Sequence, residues 1–503
     1  MLSALPETKW NVTTAAHLLN RAGFGGPPSE IEKLVQLGLE QAVAYFVDFE
    51  RIPDSTPNPD WAKPDPTLAE KLQEFRKLNQ QLRRASGEEK EELEKRRREM
   101  QREQIRTQVE QMMELRGWWL NRMVKGPRPL QEKMTLFWHG HFATSVQKVR
   151  DAYFMWRQND TFRRHATGNW LQLQIAVAKD PAMLVWLDQA QSRKAHPNEN
   201  YAREVMELFA LGEGHYNESD VTEAARALTG WTLNRVKQDF EYRSFIHDGG
   251  NKTFLGKTGN LTGTDVLQQI CAQPQSARFI CTKLWAFLAS ENPSEELVTA
   301  LAAVFTRSGS NFKLLLRAMF RSEEFYSESV IRQQVKSPVQ WLVGSVRVLE
   351  REPPPAFQCN QMLRTLGQEL FAPPNVKGWD GGLAWITTNN LLARYNLAAL
   401  LVQGENTLQP DAQRRMARQM HRRMNRMNQK PAPVDVEKLL REEQRRDKSQ
   451  LIAALEKRLL QGKLREKQEK TLREYLDAQS ALDAHAILNA IRLLMSTPDF
   501  QLT

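Results

Sequence analysis

The chain has 503 residues, 41% of them hydrophobic and 26% charged, with 70 Lys and Arg against 60 Asp and Glu and a formal net charge of +10. Its mean hydropathy is -0.58. No uncharged apolar run approaches the ~20 residues that a spanning helix needs, which speaks against membrane-spanning helices and for a water-facing body with several times the core of a minimal domain.

The opening stretch, MLSALPETKWNVTTAAHLLNRAGFGG, carries neither a basic n-region nor an apolar h-region. The expectation is a cytoplasmic protein, exported only if a leader precedes this chain. A pI near 9.4 is the kind that attracts nucleic acid, anionic lipid or an acidic partner. Much of the positive charge falls in long charged runs without the interleaved aromatics of single-strand platforms, so nucleic acid is set aside as a partner. Cys271, Cys281 and Cys359 match neither a zinc ribbon nor a redox pair and read as buried free thiols.

In chain order, a short helix ends at His17 to Arg21, the run from Gly23 to Pro28 turns the chain, and a second helix follows from an N-cap at Ser29. Asp54 to Pro66 is a surface loop. A helical run over 68–124 has an almost wholly charged middle, with Glu and Lys or Arg at spacings that predict an exposed, projecting helix. Gly126, Pro127 and Pro129 break it, and LQEKMTLFWHGHFATS starts the next. His139 and His141 are two apart, on different faces of a helix, whereas helical metal pairs sit three or four apart. They are weak metal ligands on that spacing; packing by Phe137, Trp138 and Phe142 makes them structural instead.

The segment HPNENYAREVMELFALGEGHY, His196 to Tyr216, sets charged and amide side chains into an apolar helical pattern. Asn200, Arg203, Glu204 and Glu207 fall at i, i+3, i+4 and i+7 and share one stripe. Such a stripe is a solvated face or a buried, fully paired network. The expectation is that Arg203, Glu204 and Glu207 are buried and paired at the centre of the body. As chemistry, His196, Glu199, Glu204 and Glu207 are candidate acids, bases or metal ligands, with Arg203 holding an anionic group and Asn198 and Asn200 binding. A divalent metal stays open; no other cofactor is expected.

Gly212 and Gly214 stop that helix, and another starts at Ser219 or Asp220 with Glu223 completing a capping box. Phe240 to His247 and Lys252 to Leu255, around Asp248, Gly249, Gly250 and Asn251, predict one small β-hairpin. His247 with Asp248 reads as an oriented imidazole or a turn cap, both candidate binding residues with Lys252. Gly250 to Thr258 is one residue too long for a phosphate loop. Thr262 to Thr306 and Asn311 to Phe325 predict amphipathic helices. LRAMFRSEEF, Leu316 to Phe325, is echoed by IRLLMSTPDF, Ile491 to Phe500, predicting equivalent helix exits. The loop FAPPNVKGWDGG brings Asn375 and Trp379 either to line a site or to pin the loop.

After Asn396, Met416, Met420, Met424 and Met427 recur at helical spacing among arginines. That pattern suits packing on the body, a partner groove or peripheral contact with an anionic membrane. Charged helices run from Val434 to Asp477 and an apolar helix closes the chain. The sequence therefore predicts an all-α fold: a large multi-helical body with one β-hairpin and projecting charged helices. Its divisions are N-terminal helices and loop (1–67), a charged arm (68–124), a central body (125–400), a basic and charged arm (401–480), and a closing helix that packs back (481–503).

Six segments together resemble one family, the bacterial proteins called domain of unknown function 1800: AAHLLNRAGFG, PLQEKMTLFWHGHFATS, PAMLVWLDQAQSRKAHPNENYAREVMELFALG, AARALTGW, HDGGNKTFLG and FAPPNVKGWDGG with LLARYN. The resemblance implies a helical protein and, through the gene neighbourhoods of its members, a partner similar to sulfatases and alkaline phosphatases. It implies export for many members, and marks 77–110 and 411–475 as insertions. Two functions follow: an accessory protein working with a sulfatase-like partner, or a hydrolase, metal-dependent in one version, built on the His, Glu and Arg side chains above.

Overall fold

The computed structural model describes residues 2–404 and 432–503; the predicted Met and Arg helix, with Met416, Met420, Met424 and Met427, lies outside them. The described residues form helices joined by loops, with two small antiparallel hairpins as the strands. Helices α1 (Val12–Ala22) and α2 (Pro28–Val47) lead into α3 (Leu68–Leu82) and α4 (Gly87–Lys125), and α5 (Pro129–His141) follows the Gly-Pro break. Asn11 caps α1 through Thr13 and Thr14, and α2 starts with Pro28 at its first position, so the predicted cap Ser29 lies inside its first turn. The predicted single run over 68–124 is two helices packed together, broken before Gly87, where φ is +59°.

Helix α5 is the axle of the fold. Leu130 to His139 are all buried, so its apolar residues serve two cores at once. One core holds Leu130, Met134, Phe137 and Trp138 with α1, α2 and the segments up to residue 330. The other holds Leu136 with the end of α4, residues 339–402 and residues 434–500. A helix buried all round must satisfy its polar residues internally. Glu132 does so by accepting from Arg122 (2.7 Å), Arg163 (2.8 Å) and the indole N–H of Trp119 (2.9 Å).

Beyond α5 come α6 (Val146–Val149), α7 (Ala152–Arg164), α8 (Trp170–Ala178), α9 (Pro181–Trp186) and α10 (Glu199–Glu204), which continues as a π-helical turn over Val205–Ala210. Then α11 (Glu218–Leu228) precedes the hairpins. Strand β1 (Trp231–Asn234) pairs with β2 (Asp239–Tyr242), and β3 (Lys252–Phe254) with β4 (Lys257–Gly259). Of the predicted strand Phe240 to His247 only the part up to Tyr242 is strand, Ser244–Ile246 being a 3₁₀ turn; Lys252–Phe254 is a strand, but the two are not each other's partners. The turn chemistry of Asp248 to Asn251 serves a link between two hairpins, because the nearest complementary strand lies on the outer side of each. The capping box of α11 is Asn217 with Asp220, three residues before the predicted pair.

Helices α12 (Gly263–Ala272), α13 (Pro274–Leu288), α14 (Glu295–Arg307) and α15 (Phe312–Arg321) complete the first core; α16 (Pro338–Val348), α17 (Ala356–Thr365) and α18 (Thr388–Gln403) belong to the second. The two echoing segments are equivalent exits, as predicted. After Arg321 and after Met495 a single 3₁₀ turn follows, and the N–H groups of Phe325 and Phe500 face the hydroxyls of Ser322 and Thr497, each at 3.4 Å. Of the two charged runs, the first is solvated through its middle: α4 has no buried side chain before Met112. Residues 448–476 carry Leu451, Leu455, Leu459 and Leu476 into the second core, since their apolar residues keep a helical stripe that residues 88–110 lack.

Candidate functional site

The signature helix begins with loop closure. Asn198 caps α10 through the N–H of Asn200 (3.0 Å), and its amide donates back to the Leu187 carbonyl (2.7 Å), while Ser192 accepts from the Asn198 N–H (3.1 Å). His196 and Glu199 are exposed at this entrance. Tyr201, Ala202, Val205, Met206 and Phe209 enter the core.

The polar stripe faces outward instead of into the centre. Arg203, Glu204 and Glu207 are each only partly buried, contrary to the expected buried network. The stripe forms rungs to α11 and the turn before it: Thr222 donates to Glu199 (3.0 Å), Arg203 makes two 2.7 Å bonds to Glu218, and Tyr216 donates to Glu207 (2.9 Å). Asn200 is exposed. Helical spacing cannot separate the two outcomes because an edge stripe against a neighbouring helix has the same period as a buried one. The buried ion network exists elsewhere, at Glu132 with Arg122, Arg163 and, through Arg122, Asp54. Its signal was the Glu-Lys pair inside the apolar run LQEKMTLFW.

Glu204 stands apart. Among the described residues it has no hydrogen-bond or ion-pair partner in the structure; burial raises its carboxyl above the usual range, with the Glu207 charge adding to the effect and Arg203 opposing it.

The far end of the signature helix is where separate motifs meet. A helix leaves its last carbonyls without intrahelical donors, and here three side chains supply them. Lys283 donates to the Leu208 carbonyl (2.8 Å), His141 Nε2 bonds the Phe209 carbonyl (3.0 Å), and Gln275 donates to the Leu211 carbonyl (3.1 Å). A carbonyl oxygen only accepts, so His141 is the Nε2–H tautomer. Burial pushes Lys283 down to about 8, with Lys377 adding to the shift. Lys283 and Gln275 carried no sequence signal, being single polar residues in an ordinary amphipathic helix.

His139 does the opposite work. Its Nε2 accepts the N–H of Phe371 at 3.0 Å, a residue in the left-handed region at φ +63°, and its ring packs against Trp119, Phe371 and Trp379. Gly378, at φ +91°, approaches so closely that a Cβ there would sit 2.5 Å from the Gly140 carbonyl oxygen. The His-Gly-His triplet therefore pins the FAPPNVKGWDGG loop on one side and the signature helix on the other. Trp379 is half-buried and pins the loop; Asn375 is exposed and its carbonyl accepts from Gly378 (3.3 Å). Burial lowers both imidazole pKa values, His139 to about 3 and His141 well below its ordinary value. Both His139 and His141 have Nε2 engaged by backbone, and no group of three or more His, Cys, Asp or Glu converges as a metal site among the described residues.

The HDGG segment is clamped onto α11. Arg226 bonds Asp248 (2.7 Å) and Glu223 (2.9 Å), the Asp248 N–H donates to Thr229 Oγ1 (2.7 Å), and His247 Nδ1 bonds the Thr229 carbonyl (2.8 Å). Lys252 is buried, and its ammonium donates to the Asp248 and Gly250 carbonyls at 2.6 and 2.9 Å. A lysine folded onto its own loop's carbonyls is a turn clamp, not a phosphate hook. The structure thus brings Trp379 against His139, sets His141 alone of the three on the end of the signature helix, and brings His247, Asp248 and Lys252 together on α11.

A search of the curated proteins found no match, and a search of the solved structures found none. A family model described as "Protein of unknown function (DUF1800)" matches residues 17–502, nearly the whole chain, and the chain belongs to that family.

Proposed function

We propose that this protein is a helical accessory protein that docks a partner protein, and that the docking face is the surface formed by the β1–β2 hairpin and the entrance of the signature helix. What carries the reading is a pair of exposed aromatics beside cations. Phe245 is 70% exposed and Tyr242 49% exposed; Arg193, Lys194, His196 and Arg243 are exposed around them. The Lys194 N–H bonds the Ile246 carbonyl at 2.8 Å, which joins the two segments into one surface. Aromatic anchors inside a charged rim are the usual composition of a protein interface. The polar residues of the signature segments support the same reading, because most are spent on internal bonds that hold this face in shape.

The partner class follows from the family resemblance: a sulfatase-like protein, met here through an acidic face. Sedimentation of the purified pair tests it. A complex that forms with the native chain and is lost in Phe245→Asp, but kept in Arg203→Ala, is the expected result; association unchanged in Phe245→Asp contradicts it.

Glu204 favours a second reading. A half-buried carboxyl with a raised pKa beside Glu207 is the setting of a general acid in a hydrolase. Hydrolytic turnover abolished by Glu204→Gln in a folded protein supports that reading, and turnover unchanged removes it.

A further inference from the structure

Helix α2 bends at Gly38, where φ is +74°, so its two halves diverge. Beside the bend, between α2, the end of α1 and the break after α4, lies a cavity of about 190 Å³. Leu19, Leu34 and Leu37 supply its apolar lining. The space opens to solvent, with polar and apolar walls in about equal share, and its volume is enough for a benzene-sized body.

The polar lining is unbalanced. Lys33, Lys125 and Arg347 face one carboxylate, Glu30. Arg347 is already committed, with its guanidinium on both Glu30 oxygens (2.7 and 3.0 Å) and on the Gly25 carbonyl (2.6 Å). Lys125 pairs with Glu352. Lys33 is different: its ammonium lies 5.5 Å from the centre of the Tyr45 ring and has no hydrogen-bond or ion-pair partner among the described residues.

We propose that this cavity binds a small amphipathic carboxylate, an aromatic or short-chain acid whose apolar body lies against Leu19, Leu34 and Leu37 and whose carboxylate is held by Lys33. The apolar lining selects the body and the surplus cation selects the head. An alcohol of the same shape keeps the first and loses the second. Tyr45, partly exposed, lines the polar side, its hydroxyl pKa raised above its ordinary value by desolvation and by the Glu30 charge, with Arg347 opposing.

The test is a ligand-observed NMR titration of the full chain with benzoate and with benzyl alcohol. Benzoate binds saturably with a dissociation constant of about 1 mM or below, and benzyl alcohol at least about tenfold more weakly. Lys33 is exposed, so Lys33→Met folds and weakens benzoate by about tenfold while leaving the alcohol unchanged. Leu37→Trp, which fills the space, removes both. No saturable benzoate binding up to about 10 mM, equal binding of the two probes, or an unchanged benzoate affinity in Lys33→Met overturns the proposal.

Discussion

The Nε2 of His141 and the carbonyl oxygen of Phe209 lie 3.0 Å apart, joining two residues separated by 68 positions in the chain. The bond caps a helix whose sequence is the most distinctive in the protein, and it is made in a fully buried place. His141→Ala removes a packed ring and leaves the Phe209 carbonyl without its donor. A loss of about 2–4 kcal/mol of unfolding free energy is expected, measured by chemical denaturation.

Both imidazoles of the triplet are held neutral by burial, with His139 lowered to about 3. The folded pKa values lie below the unfolded value of about 6.5, so the unfolded state binds more protons as pH falls. Stability is therefore expected to decline as pH drops below about 6.5, by up to about 1.4 kcal/mol per unit for each histidine. In NMR spectra the His139 ring resonances stay flat from pH 8 to pH 5.

Two arginine pairs of similar length separate buried from exposed charge. Burial pushes the Glu132 carboxyl up, but Arg163 and Arg122 outweigh it and hold it below its ordinary value. A depressed carboxylate stabilises above the unfolded pKa and loses that contribution as pH falls through the folded one. Arg163→Met strips a partner from a carboxylate that is 1% exposed and is expected to cost about 3–5 kcal/mol. Arg203→Ala breaks a surface pair and is expected to cost under about 1 kcal/mol. Equilibrium urea unfolding of both variants checks the contrast.

Glu204 carries the opposite sign. Its folded pKa is raised, so its charge opposes folding near neutral pH, and the penalty fades as pH falls through that raised value. Glu204→Gln is expected to raise the melting temperature at pH 7 and to leave it unchanged at pH 4. A lowered melting temperature at pH 7 contradicts this placement.

The helical class, the break at Gly126, the paired helix exits at Phe325 and Phe500 and the outward charge of residues 88–110 were legible, because each is set by local period or by Gly and Pro. That the HGH, HPNENYARE, HDGG and KGWDGG segments are distinctive was legible too. Their roles were not. Whether Glu204 or Glu132 is the buried carboxylate depends on which helix face the rest of the chain covers, and Lys283 and Gln275 became caps only through the placement of α13. The strand partners failed for the same reason: Phe240 and Lys252 each had a nearer complementary strand that lacked a strong β pattern.

His139 and His141 are two independent clamps, one for the loop and one for the signature helix. Amide hydrogen exchange in the two single alanine variants measures this directly. His141→Ala is expected to speed exchange over residues 205–212 and leave 370–385 protected; His139→Ala is expected to do the reverse. Equal, global acceleration in both variants, or unchanged protection in both segments, would contradict it.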